Sequence, residues 1–256
     1  MSQPINILWT GGWDSTFRVL YASIVEGRQV FPHYIIDLER RSSLRELQAI
    51  SDIRKGLANL NEDAARRIAE LKITPITEIA EVSDITKSYQ HLKSRAHLGT
   101  QYDWLARYAK TNNIENLELS IHVDDKAYYF LNGKVDQSAN GRWKLKDNIT
   151  GDESIFSYFT FPLLETSKTE MRGIAEKNGF IDLLERSWFC FNPTNGKPCG
   201  ICNPCVYTAQ EGMGYRLPKS AKLRYHTRHL RQVAGAPFAI LKRIYKKTKS
   251  RKPEIG

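Results

Sequence analysis

Residues Ile5-Asn6-Ile7-Leu8-Trp9-Thr10-Gly11-Gly12-Trp13-Asp14-Ser15-Thr16 decide the fold. A short apolar run ends in paired glycines, and Phe17, Leu20, Tyr21 and Ile24 then recur at helical spacing as far as Gly27. The pattern predicts a buried strand, a tight turn and an amphipathic helix. Gly11 and Gly12 permit positive φ and close backbone approach. The N–H groups that follow gather at the positive end of a helix, where an anion is favoured. Thr10, Ser15 and Thr16 add hydroxyls, and Asp14 adds a carboxylate. The chemistry implied is phosphate or pyrophosphate binding, although the same residues suit a helix capped by Asp14 or Ser15 after a plain glycine turn. Neither G-x-x-x-x-G-K-[ST] nor G-x-G-x-x-G occurs, so neither the Walker nor the dinucleotide fingerprint applies.

Outward from that turn, strand-like and helix-like stretches alternate. Val30 to Ile36 reads as a second strand, with Pro32 suggesting an edge or a strand start. Ile50, Ile53, Leu57 and Leu60 form a helical stripe, and a shorter helix is expected over 63–71. Ile73 to Ile79 is a third apolar-alternating run, Tyr102 to Ala109 a helix, Leu117 to Val123 a fourth strand and Tyr158 to Leu164 a fifth. Ser167-Lys168-Thr169-Glu170 is a capping-box pattern. Residues 124–156, rich in Asn-Gly turns, read as a hairpin insertion. The alternation predicts an α/β fold, a doubly wound parallel sheet with helices on both faces.

The chain has 256 residues, 41% hydrophobic and 26% charged. A chain of this size buries about 70–75% of its unfolded surface and needs no disulfide staples. No run approaches the roughly 18 apolar residues of a membrane span, and Met1-Ser2-Gln3-Pro4 lacks a secretory build. With four cysteines only, a cytoplasmic protein is expected. The net charge of +10 is uneven. Residues 216–256 hold 13 of the 38 Lys/Arg and one of the 28 acids, Glu254, so residues 1–215 are close to neutral. In the basic stretch, Phe238, Ile240, Leu241, Ile244 and Tyr245 fall on one half of a helical wheel and Lys242, Arg243, Lys246, Lys247 and Lys249 on the other. Such a segment suits a polyanion, a membrane surface or an acidic protein, or else packs on the protein's own body.

All four cysteines lie within 16 residues, as Cys190-x8-Cys199-x2-Cys202-x2-Cys205. Four thiolates at this spacing suit a tetrahedral structural Zn²⁺ site, with Asn195-Gly196, Gly200, Pro198 and Pro204 supplying the turns. A closed four-thiolate set leaves no open position for catalysis.

Thr10-Gly11-Gly12-Trp13-Asp14-Ser15-Thr16 resembles the S-G-G-x-D-S motif of PP-loop ATP pyrophosphatases, with threonine in place of the first serine. With the cysteines, the chain resembles the 7-cyano-7-deazaguanine synthase family of the queuosine precursor pathway over roughly residues 5–210. Phe161-Pro162-Leu163-Leu164 and Ser167-Lys168-Thr169-Glu170 are similar to its T-P-L-x-x-x-S-K-x-E. Trp188-Phe189-Cys190-Phe191-Asn192 is similar to its W-S-C-Y-N, and the stretch from Lys197 to Cys205 to its K-P-C-G-x-C-x-x-C. Three loops depart from that pattern. Leu98-Gly99-Thr100-Gln101-Tyr102 replaces G-R-N, Ile121-His122-Val123-Asp124-Asp125 replaces G-V-N-x-x-D, and Asp37-Leu38-Glu39-Arg40 replaces D-Y-G-Q. The parts expected to hold the base are altered, while the ATP-cleaving and zinc parts are kept.

The resemblance implies an adenine nucleotide α-hydrolase-like domain over 1–186, a zinc-binding lobe over 187–215 and a basic tail over 216–256. It implies an ATP-dependent carbon–nitrogen ligase that adenylates a carboxylate, releases pyrophosphate and lets ammonia displace AMP, with a second ATP-dependent step giving a nitrile. Thr10, Gly11, Gly12, Asp14, Ser15 and Thr16 would hold ATP, Asp14 the Mg²⁺ or the loop, and Lys168 a phosphate. The family also implies a homodimer. Two alternatives share these residues: a related PP-loop enzyme acting on another carboxylate or a tRNA base, and a non-catalytic zinc-stapled nucleic-acid binder.

Overall fold

The computed structural model describes residues 4–122, 125–138 and 141–228. The chain divides into two compact units, one ending at Phe189 and the next beginning at Cys190. The expected amphipathic segment over 237–249 lies outside the described residues, as do Val123 and Asp124.

The first unit runs β1 (Ile5–Leu8), α1 (Trp13–Ile24), β2 (Val30–Ile36), α2 (Ser43–Leu60), α3 (Glu62–Arg66), β3 (Lys72–Pro75), α4 (Ser83–Arg95) and α5 (Gln101–Thr111). It continues with β4 (Leu117–Glu118), α6 (Tyr128–Leu131), β5 (Val135–Gln137), β6 (Trp143–Leu145), β7 (Phe159–Phe161), α7 (Lys168–Lys177) and α8 (Ile181–Leu184). The second unit contains α9 (Asn203–Thr208) and α10 (Lys219–His226). Among the described residues, no helix is long and apolar enough to cross a membrane.

Seven strands form one sheet in the order β3-β2-β1-β4-β7-β6-β5. The pairs from β3 through β7 are parallel, and β6 pairs antiparallel with both β7 and β5. The chain therefore steps outward from β1 to β3 and then returns to place β4 on the other side of β1. Right-handed crossovers put α1 and α2 on one face and α4 and α5 on the other. Alternate β4 residues obey this division. Leu117, Leu119 and Ile121 join the core built on α4, α5 and the 3₁₀ turn Asp152–Tyr158, while Glu118 faces α1 and takes Arg18 Nε at 2.6 Å.

Prolines set the strand boundaries. Pro32 lies inside the sheet, since β2 pairs with both β1 and β3, so the edge expected from it is corrected. An N–H at position 32 would continue the rung begun by Val30 N–H to Arg67 O and Ala69 N–H to Val30 O. Proline has none, and Arg54 Nη1 donates instead to the Ala69 carbonyl at 2.7 Å. Pro162 acts likewise. Leu119 N–H donates to Thr160 O, the answering N–H would come from residue 162, and the ladder stops there. This makes β4 and β7 shorter than the runs 117–123 and 158–164 expected from sequence. The third run ends as a strand at Pro75 and turns into the 3₁₀ segment Ile76–Glu78. The helix expected over 63–71 spans only Glu62–Arg66, because the chain then bridges Ile68 to Val30. The 124–156 stretch does contain a hairpin, β5–β6, and it extends the sheet at its edge.

Candidate functional site: a glycine turn and a cysteine knuckle

The break in strand order between β1 and β4 creates a crevice at the carboxyl ends of these strands, the usual ligand position in open α/β sheets. Thr10-Gly11-Gly12 forms the turn at that end. Gly11 has φ +70°, and a Cβ there would lie 2.8 Å from the Glu46 carbonyl oxygen, so glycine is required on both conformational and steric grounds. Its own carbonyl accepts the Trp188 N–H at 2.7 Å. Gly12 is the N-cap of α1, and no side chain caps the helix. The capping alternative raised for Asp14 or Ser15 therefore does not describe this turn.

The hydroxyls hold the turn's shape. Ser15 Oγ accepts the Thr10 N–H at 3.2 Å and lies 3.1 Å from Thr10 Oγ1. Thr16 is buried, and its Oγ1 accepts from Trp9 Nε1 at 3.1 Å. Lys168 opens α7 behind the expected capping box, formed in full by Ser167 and Glu170. This brings Lys168 Nζ to 4.0 Å from Asp14 Oδ2. Thr10, Gly11, Gly12, Asp14, Ser15, Thr16 and Lys168 thus meet at one end of the sheet.

Two neighbours were not singled out from sequence. The Glu46 carboxylate is buried and held by Tyr34 OH and Ser42 Oγ, each at 2.7 Å, and by Arg40 Nη2 at 3.2 Å. Burial, then the Glu46 charge, raises the Tyr34 phenol above its ordinary range. Ser120 lies two residues beyond the end of β4. Its Oγ is buried with no hydrogen-bond partner among the described residues. The apolar–polar alternation over 117–123 was the available signal for Ser120. Nothing local marks Glu46.

In the second unit, the Sγ atoms of Cys190, Cys199, Cys202 and Cys205 all lie within 4.8 Å of one another. The pairs Cys199–Cys205 and Cys190–Cys202 are 3.9 Å apart. Four sulfurs at about 2.3 Å from a tetrahedral Zn²⁺ would stand about 3.8 Å apart, so the set can hold a metal ion such as zinc. Backbone N–H groups already point at the sulfurs, from Cys199 to Cys190 Sγ at 3.1 Å and from Cys202 to Cys199 Sγ at 3.3 Å. Such donors stabilise thiolates. The hydrogen bond with Cys202 pushes the Cys190 thiol up to about 12, and the same bond from Cys190 holds Cys202 well below its ordinary value.

The knuckle's turns carry the expected residues. Asn195 and Gly196 both have positive φ and join the bridge Thr194–Lys197. Gly200 has φ +83°, and a Cβ there would come within 2.1 Å of the Ala221 carbonyl. That contact seats α10 on the knuckle. Arg224 then donates from Nε to Cys199 O at 2.6 Å and from Nη2 to Pro198 O at 3.3 Å. Arg224 read from sequence only as one charge of a basic stretch. No family model matches the chain, and no curated protein matches it.

Proposed function

We propose that the protein is an ATP-dependent ligase of PP-loop type, with a doubly wound, adenine nucleotide α-hydrolase-like first domain and a zinc-stapled second lobe. The observation that carries this reading is the Gly11 turn, pressed against the Glu46 carbonyl and opening an uncapped helix beside the Asp14–Lys168 pair. A pyrophosphate fits this arrangement by charge: helix dipole and lysine oppose its negative oxygens, and Asp14 supplies a ligand for the Mg²⁺ that accompanies ATP.

In this reading a substrate carboxylate oxygen attacks the α-phosphorus of ATP, the α–β bridging P–O bond breaks, and pyrophosphate leaves. Ammonia then attacks the acyl carbon, AMP departs with the carboxylate oxygen, and a proton is lost to give the amide. Dehydration of that amide by a second ATP, as in the family resembled, would give a nitrile. The protein's contribution is electrostatic, through fixed donors where charge gathers on phosphate oxygens. The four cysteines serve structure, so sulfur transfer to a tRNA base is disfavoured. A homodimer and a base-sized carboxylate substrate follow from the same resemblance.

The test is product analysis with ATP, ammonia and candidate carboxylates, 7-carboxy-7-deazaguanine among them. AMP and pyrophosphate are expected, with Asp14→Ala abolishing both while circular dichroism is unchanged. Release of ADP and phosphate would show that a different bond is cut and overturn the proposal.

A further inference from the structure

Several elements of the first unit meet around a cavity of about 210 Å³, lined by Arg95, Tyr129, Phe130, Lys134 and Glu153. Arg95 ends α4, Tyr129 and Phe130 belong to α6, Lys134 precedes β5, and Glu153 lies in the 3₁₀ turn Asp152–Tyr158. None of them is among the residues gathered at the glycine turn. The volume is below the roughly 300–1,000 Å³ of sites that take drug-sized ligands, so only a small molecule fits.

Glu153 is buried, and its Oε1 takes both Arg95 Nη2, at 2.9 Å, and Lys134 Nζ. Burial alone would raise the Glu153 carboxyl, but the hydrogen bonds from Lys134 and Arg95 hold it below the usual carboxylate range. Two cations thus direct one hydrogen bond each to a single oxygen. Among the described residues, neither side chain makes another. An edge of the guanidinium and two N–H groups of the ammonium are left over. Asp152, next to Glu153 in sequence, pairs with His91 at 3.3 Å and does not line the cavity. The lining therefore carries two positive charges against one negative.

The remaining wall is aromatic. Phe130 is buried and meets the Tyr129 ring edge-on at 5.1 Å, while Tyr129 itself is 67% exposed. An exposed ring braced by a buried one offers its face to a flat molecule.

We propose that this cavity is a binding site for a small aromatic carboxylate. One excess positive charge balances a monoanion. A guanidinium edge matches the planar carboxylate as a bidentate pair, with the ammonium beside it. The Tyr129 face takes the ring. The proposal stands on residues apart from the glycine turn, and it is independent of the ATP reading.

The experiment is titration of the full chain with benzoate, followed by amide NMR at Arg95, Tyr129 and Lys134. Saturable shifts are expected with benzoate and not with benzamide, which has the ring without the charge. Cyclohexanecarboxylate, which has the charge without the flat ring, should bind several-fold more weakly. Arg95→Gln and Lys134→Gln should each weaken benzoate at least about tenfold, as for loss of one charge-assisted hydrogen bond. Tyr129→Leu should erase the preference for benzoate over cyclohexanecarboxylate and leave the latter unchanged. Circular dichroism checks each fold. Arg95→Lys keeps the charge beside Glu153 and loses the fork, so it replaces Arg95→Gln if that variant does not fold, with the same weakening expected. Benzoate that gives no saturable shift at these amides overturns the proposal. So does benzoate binding as tight in the folded Arg95 and Lys134 variants as in the wild type, which leaves the three charges as a structural ion pair. Inorganic phosphate that binds here more tightly than benzoate, indifferent to Tyr129→Leu, overturns it in favour of a plain anion site.

Discussion

His33 is 6% exposed on β2. Its Nε2 lies 3.0 Å from Asn6 Oδ1, which can only accept, so Nε2 carries the proton and Nδ1 takes the Tyr108 hydroxyl at 2.9 Å. The neutral ring is thereby satisfied at both nitrogens. Burial first, and the Lys72 charge second, push its pKa down from 6.5 to about 4. In the unfolded chain the ring takes a proton below about pH 6.5, whereas the folded protein refuses it until about pH 4. Stability from this site is therefore complete above the unfolded value and is lost as pH falls through that window, by about 3 kcal/mol in all. Urea unfolding of the protein and of His33→Asn between about pH 7 and pH 4 checks this. The variant, less stable at neutral pH, should show the shallower pH slope, and parallel slopes would mean that His33 does not carry the effect. The same residue-level logic governs Gly11. Its role was legible from the paired glycines, but the partner that demands it, the Glu46 carbonyl, lies in α2 and is invisible to a local pattern.

At the scale of elements, β4 is only two residues long yet central, and an ion network holds it. Glu118 is 1% exposed and receives Arg18 Nε of α1 at 2.6 Å and Arg142 Nε at 2.7 Å, while Arg18 also reaches Glu26 at 2.8 Å. Burial alone would lower the Arg18 pKa, and the Glu118 charge overrides it, so the guanidinium is held more firmly protonated than in water. Glu118→Gln keeps the shape and removes the charge, leaving Arg18 buried without its main anion. A loss of about 3–5 kcal/mol is expected. The control is Arg66→Ala, whose pairs with Glu62 and Asp63 are 65% exposed or more and should matter by less than ~1 kcal/mol. Equal losses for the two variants would show that the network is worth no more than a surface pair. Element identity was largely legible, since apolar runs and helical stripes gave β1, α1, β2, α2 and the α7 capping box. Element ends were not. Pro32 was read as a warning about the strand that contains it, when its effect falls on the neighbouring segment and is repaired by Arg54. The ladder between β4 and β7 stops because the answering N–H would come from Pro162, a relation that exists only once the two strands are paired.

The whole molecule divides its stabilising forces between its two units. The first buries continuous apolar cores against a seven-stranded sheet. Among its described residues, 190–228, the second buries little beyond Cys190, Cys199, Cys205, Met213, Leu217 and Ala221. So small a set of buried side chains rarely holds a fold without a metal or a covalent staple. The cysteines form no disulfide, so a metal ion such as zinc, which this cluster can hold, would supply the difference: a structural zinc contributes an apparent ~10–16 kcal/mol at neutral pH. The cysteine spacing made this site legible from sequence, because four ligands within one short segment need no tertiary information. The role of α10 was not legible, because its contacts with Gly200, Cys199 and Pro198 arise only in the folded knuckle. These contacts tie the helix to the cysteine cluster: if the sulfurs repel one another as thiolates with no metal between them, the turn at Gly200 moves and α10 loses its seat. Chelation should therefore abolish amide-exchange protection across α9 and α10 together and leave β1, β2 and β4 protected. Adding Zn²⁺ back should restore both helices. Metal-free protein that keeps full protection over 190–228 would show that the knuckle stands on its packing alone.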